Sequence, residues 1–295
     1  MFKGIAITIC VCIGSFSMHC FAVDVSNATY RPLPPGANLA LWYEINSRSS
    51  EFKPDGQKTS KDGTNLDVHI SMFRYIHYME LGGYTVAPQI LLPYGKVFDG
   101  RIAGRELDDA AGMLDPMVTA TTWFINEPGT GPEGRFFSVT PILYLPLGSY
   151  HKGDITNLGE NRFKLETHFN LVQPLWGPTS LDITGGITLY GDNNEAGDGR
   201  QKLEQDPSAS VQAYLSTRLN PTQTFAVGFA AEKGGKRYLD DTYLQQKNDY
   251  KQLRVEFLQW FSQRTGAAII LSRDIDVEGG FKRDLGVTVV GVYAF

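Results

Sequence analysis

The chain has 295 residues, 42% hydrophobic and 20% charged, with a mean hydropathy of −0.20. Its 32 acidic residues outnumber its 27 basic ones, a balance that argues against a nucleic-acid partner. Beyond the first stretch no apolar run approaches the length of a membrane-spanning helix, so any insertion into a bilayer must use strands.

The first stretch reads as a targeting segment. Met1-Phe2-Lys3 is a short basic start, Gly4 to Phe16 is apolar but too short to span, and Cys20-Phe21-Ala22 offers small residues where a signal peptidase reads. Residues 1–22 are expected to be removed, leaving 23–295 as one domain. A buried core helix is the competing reading, but nothing that follows reads as a helical domain. Lipidation of Cys20 is disfavoured by His19, which stands where a small residue is wanted. Cleavage also removes Lys3, leaving 26 basic residues and a net charge of about −6. Cys10, Cys12 and Cys20 all fall in the removed part. An exported chain without cysteine has no disulfide to hold it, and the closed hydrogen-bond ladder of a barrel meets that need.

In chain order, alternating segments begin near Asn38, run from Leu66 to Met72, begin near Tyr84 and Met113, and run from Phe137 to Leu145. The next places Phe163, Leu165, Thr167, Phe169 and Leu171 on one face, with Arg162, Lys164, Glu166, His168 and Asn170 on the other. Leu181, Ile183, Gly185, Ile187 and Leu189 then alternate with Asp182, Thr184, Gly186, Thr188 and Tyr190. Further segments begin near Pro207, run over Phe225 to Ala231 and Leu253 to Phe257, and begin near Gly266. The last puts Leu285, Val287, Val289, Gly291, Tyr293 and Phe295 on one face, opposite mostly small residues. That gives about twelve strands, an even number as bacterial single-chain barrels have. Tyr293 and Phe295, an aromatic two before a terminal Phe, form a candidate assembly signal for the barrel-assembly machinery.

Connection lengths alternate. Long polar gaps span Ser47 to Gly63, Gly95 to Gly112, Gly148 to Glu160, Gly191 to Gln205 and Gly234 to Asn248. Tight turns lie at Glu80 to Gly83, Pro174 to Pro178, Asn220 to Thr222 and Arg264 to Gly266, with Glu127 to Gly134 intermediate. Long outer loops and short periplasmic turns define an all-β, up-and-down antiparallel transmembrane β-barrel; a soluble β-sandwich has no reason to alternate so. Trp42, Tyr43, Trp123, Phe124, Trp176, Trp260 and Phe261 fall near strand ends, where rings are expected at the headgroup level.

The polar faces point to a passenger. His69, Tyr144, Arg162, Lys164, Glu166, His168, Tyr190, Tyr214, Arg254, Glu256 and Trp260 are expected to line the lumen, mixing both signs of charge with aromatic surface. Asp67, His69 and Ser71 share a face and suggest a triad, but residues two apart on a strand sit roughly 6.6 Å apart with parallel side chains, so catalysis is not expected from them. Asp192 to Gly197 lacks the carboxylates a calcium loop needs at its fifth and twelfth positions, Ala196 and Leu203. No metal-ligand spacing or phosphate cradle is present, and no cofactor is expected.

Two clusters carry a family resemblance: Ile76-His77-Tyr78 with Leu81-Gly82-Gly83 and Ala87 to Gly95, and Thr140-Pro141 with Tyr144 to Tyr150 and Leu158 to Phe163. Leu271 to Asp274 and Gly279 to Phe281 continue it. The chain resembles the outer-membrane family named for the meta-pathway of phenol degradation, whose members are labelled transporters. It departs from the family pattern with Phe163 in place of a Trp and Arg273 in place of a His. The resemblance implies a barrel that moves small apolar or aromatic solutes across the outer membrane, and it brings no catalytic residues. Outer-membrane lipid and lipopolysaccharide are the expected surroundings. A plugged structural or adhesive barrel, or a lipid-modifying barrel enzyme with a converging Ser–His pair, are the alternatives.

Overall fold

The structure is a computed structural model that describes residues 26–27, 29–131, 133–154, 156–197 and 200–295, with the backbone of 16–17. The three cysteines and the expected cleavage position after Ala22 lie outside the described residues. Twelve long strands form the wall: β1 Asn38–Lys53, β2 Asn65–His77, β3 Tyr84–Ile102, β4 Met117–Glu127, β5 Arg135–Tyr144, β6 Lys164–Pro174, β7 Thr179–Tyr190, β8 Ser208–Asn220, β9 Gln223–Gly234, β10 Asp249–Trp260, β11 Thr265–Glu278 and β12 Gly280–Ala294. Each pairs antiparallel with its chain neighbours, and β1 pairs with β12, so the sheet closes. The closing seam runs from Leu39↔Ala294 to Lys53↔Gly280, and Asn38 and Phe295 exchange both backbone hydrogen bonds, at 2.9 and 3.0 Å. Closure leaves no edge strand to satisfy, which lets strands cross lipid.

The side-chain period of two sorts the wall into faces. On β6, Leu165, Phe169 and Leu171 are exposed outward while Lys164, Glu166, His168 and Asn170 are buried inside. On β12, Leu285, Val289 and Tyr293 face out and Val290 is buried, and Tyr293 stacks on Phe295 with ring centroids 5.5 Å apart. Two of the aromatics expected at the rim lie inside instead. Tyr43 and Trp123 are buried, because their registers place them on the inward face.

Several long gaps prove shorter. β1 continues to Lys53 and β3 to Ile102, well into the polar stretches after Ser47 and Gly95. Above the lipid band both faces of a strand meet water, so the alternation fades while the ladder continues. The seventh and ninth connections fold onto each other as a small antiparallel sheet of Asn193–Ala196, Gln201–Gln205, Arg237–Leu239 and Thr242–Tyr243, closed over Ala196, Leu203 and Leu244. Lys247 ties this cap to the wall, with its Nζ 2.7 Å from Asp55 and 2.8 Å from Glu278. Hydrogen bonds from Lys247 and from the Tyr243 hydroxyl hold the Asp55 carboxyl below its ordinary range.

At the outer tip of the β11–β12 hairpin, Gly279 has φ +85°, and a Cβ there would lie 2.3 Å from the Lys247 amide nitrogen. Gly279→Ala is therefore expected to cost stability through both the left-handed backbone and the displaced cap. A lower midpoint of urea unfolding checks this; an unchanged midpoint would show that the cap yields freely.

Candidate functional site

The lumen has two unlike walls. From β11 through β12 and β1 to β3 its inward side carries two adjoining apolar clusters built on Tyr43, Ile45, Val68, Ile70, Val290 and Ala268, with buried Arg74, Gln89 and Asp274 on the same side. From β6 through β10 the inward side chains are mostly polar or charged. The change follows from which half of each alternating strand carries the charges, and it gives the bore an amphipathic cross-section.

On the polar wall the inward side chains of β6 form a continuous chain of contacts. Glu160, in the loop that enters β6, accepts from Arg162 Nε at 2.9 Å and from Lys164 Nζ at 3.2 Å. Lys164 also lies over the Tyr144 ring, 3.7 Å from its centroid. The Tyr144 hydroxyl donates to Glu166 at 2.7 Å, and the other carboxylate oxygen of Glu166 meets His168 Nε2 at 2.7 Å. Burial works to raise the Glu160 pKa, but Lys164, Arg162 and Arg237 outweigh it and hold this carboxyl below its ordinary range. Further round, Arg254 donates to Gln252 and Gln212, both at 2.6 Å, and reaches the Tyr214 hydroxyl at 3.4 Å. Tyr190 bonds Ser208 at 2.9 Å and lies under the Arg162 guanidinium at 5.1 Å. Trp260 faces inward at the short-turn rim, against Gly266.

Ten of the eleven expected lumen residues thus face the bore. His69 does not. On β2 the buried residues are Val68, Ile70, Arg74 and Ile76, and His69 shares the outward face with Asp67 and Ser71. The expectation assumed that the polar half of a strand faces the lumen; here the apolar half does, because Leu158, Leu114 and Ile45 fill that side of the bore. The rejected triad geometry also needs correction. His69 Nε2 comes within 3.4 Å of Ser71 Oγ, since the ring leans along the strand while Asn46 Oδ1, opposite in the ladder, holds its Nδ1 at 2.8 Å. Asp67 turns away to a two-point pair with Arg48 at 3.1 and 3.2 Å.

Sequence reasoning missed the occupant of the bore. The segment before β1 runs up inside the barrel, with Asn27 and Tyr30 buried. The Asn27 amide donates to Glu256 at 2.9 Å, and the Tyr30 hydroxyl meets His168 Nδ1 at 2.6 Å. The Tyr30 carbonyl accepts from the Trp123 indole at 2.8 Å. Arg31 pairs with Glu133 at 3.3 Å and donates to Ser180 at 3.0 Å. Below, Leu33 and Ala37 pack against a collar that includes Ile76, Trp123, Phe136 and Val172. The only signal was Pro32, Pro34 and Pro35, which cannot donate to a ladder and so leave this segment to be held by side chains. No group of metal-ligating side chains occurs among the described residues.

A closed twelve-strand barrel with a mostly apolar exterior and a partly polar bore places the chain in the class of outer-membrane β-barrels. The chain belongs to the family described as "Putative MetA-pathway of phenol degradation", which it matches over residues 49–281. It is similar to the COG4313 outer membrane channel from Pseudomonas putida F1, with 28% identity and a TM-score of 0.85, over 92% of this chain and 100% of that one. The toluene transporter TodX of Pseudomonas putida (10% identity, TM-score 0.50, covering 96% and 94%) and the β domain of the Bordetella autotransporter BrkA (9%, 0.53, covering 89% and 100%) share the fold alone. Among curated proteins no match is found.

Proposed function

We propose that this barrel, exported with its leader removed and inserted in the bacterial outer membrane, passes small hydrophobic or aromatic solutes passively, with transport rather than catalysis as the work of its lumen. The observation that carries this reading is the divided bore: one wall with apolar clusters suited to a ring or short alkyl chain, and one mostly polar and charged wall that keeps a wetted path beside it. Twelve strands give a width between side-chain-filled eight-stranded barrels and open porins, so an occupant of the bore governs what passes. The family and the aromatic-hydrocarbon transport ascribed to TodX fit the same reading.

The test is flux into liposomes holding the full mature barrel. A small aromatic such as toluene or phenol is expected to equilibrate faster than a sugar of similar size, in either direction across the membrane. Equal rates for the two would refute selectivity for apolar solutes, and rates equal to empty liposomes would refute the channel.

A further inference from the structure

The outward face of the wall carries a cluster of polar and charged side chains on β1 and β2. There Glu44, Asn46, Arg48, Asp67, His69 and Ser71 point away from the lumen, in register with Val289, Val287 and Leu285 on the lipid-facing side of β12. Exposed Trp42 and Tyr94 border the patch. Neither a channel lumen nor barrel closure requires these polar groups.

Their geometry is specific. Asn46 Oδ1 accepts from His69 Nδ1 at 2.8 Å, which fixes the proton there and leaves Nε2 as the basic nitrogen. Nε2 faces Ser71 Oγ at 3.4 Å and Glu44 Oε2 at 3.3 Å. Ser71 itself donates to Glu44 at 2.8 Å, and Glu44 is held in place by the Trp42 indole at 2.7 Å. A hydroxyl, an imidazole and an orienting amide in sequence form the constellation of an acyl-transfer site, and contacts of this length are normal before substrate arrives. Lys96 stands opposite His69 on β3, on the same outward face, with its Nζ over the Phe98 ring, 4.7 Å from the centroid. The charged groups facing the imidazole are thus Glu44, Lys96 and the Arg48–Asp67 pair.

We propose that Asn46, His69 and Ser71 form an ester-hydrolysing site on the lipid-facing wall, whose substrate is a long-chain carboxylic ester presented by the surrounding lipid. Ser71 Oγ attacks the ester carbonyl as its proton passes to His69 Nε2. The Glu44 carboxylate balances the imidazolium. The ester C–O bond breaks as His69 returns the proton to the departing alcohol. Water then attacks the acyl-serine, giving up a proton to His69, and the free acid leaves with Ser71 restored.

The experiment uses the full mature barrel in liposomes containing a phospholipid whose released acyl chain fluoresces, and in parallel a p-nitrophenyl ester of a long-chain acid in detergent. An alkyl fluorophosphonate serves as the probe of the nucleophile, read by mass at Ser71. Expected results are an adduct on Ser71 and turnover lowered by about 100-fold or more in Ser71→Ala and in His69→Gln. The variants' folding is checked by their heat-dependent mobility in gels. Asn46→Ala should lower kcat and shift the acid limb of the pH–rate profile, and Asn46→Asp should restore kcat. Turnover of the phospholipid places the substrate in the bilayer; turnover of the soluble ester alone overturns the lipid assignment. No adduct at Ser71, or turnover unchanged in folded Ser71→Ala, overturns the site.

Discussion

Deleting Asn27–Arg31 behind an intact leader should open the pore. The wild-type barrel is expected to show small, infrequent conductance steps in planar bilayers, and the shortened chain steps several-fold larger. Polar attachments hold the segment in the bore: Asn27 to Glu256, Tyr30 to His168, the Tyr30 carbonyl to Trp123, and Arg31 to Glu133, Ser180 and Ser216. Each neutral hydrogen bond contributes about 1 kcal/mol net and those to charged groups about 1.5–3 kcal/mol, so the segment is held firmly yet within reach of displacement. Tyr30→Phe, which removes one attachment without changing shape, should produce more frequent openings of wild-type size. Conductance unchanged by the deletion would mean that the outer cap, not this segment, closes the bore.

The second large effect concerns Glu160. It is buried where the fifth connection, between β5 and β6, meets β6, between Arg162 and Lys164. Replacing it with Ala strands two cations in a closed space, and removing one member of a buried ionic group costs about 3–5 kcal/mol. Urea unfolding should register this as a lower midpoint with similar slope. A pH dependence follows as well. The folded-state pKa of Glu160 is depressed by Lys164, Arg162 and Arg237 against the opposing effect of burial. Its contribution is therefore fully present above the ordinary Glu pKa of about 4.3 and is lost as pH falls below it. Between pH 7 and pH 3 the wild-type barrel should lose more stability than Glu160→Gln, which has nothing to protonate at that position. Equal losses would show that Glu160 is not the responsible carboxylate.

How legible the fold was depended on what each segment touches. β6, β7 and β12 lie between lipid and a wet or narrow bore, so their two faces differ sharply and the strands could be read by counting. β1 and β2 alternate just as strictly, yet polarity alone does not say which side is inside. Val68 and Ile70 face in because Leu114 and Leu158, from distant loops, fill the space there. That depends on where loops fold, which local pattern does not encode. The same holds for the occupant of the bore. Tyr30 and Arg31 belong to a short proline-rich stretch without periodicity, and they acquire meaning only beside His168 and Glu133. Of the site, the charged ladder on β6 was readable from sequence, while its partners on other strands and loops were not.

Joining Asn38 to Phe295 has a consequence for how the molecule is made. The two ends of the wall lie 257 positions apart, so the final contact closes nearly the largest ring that the chain permits. Drawing so long a tether together costs about 5 kcal/mol in chain entropy beyond a length-independent part, on logarithmic scaling. Until that contact forms, the first and last strands each present a bare hydrogen-bonding margin to whatever is nearby. Synthesis and secretion must therefore finish before the ring can shut, and any chain cut short of its last residues is left as a curled ribbon with two adhesive borders.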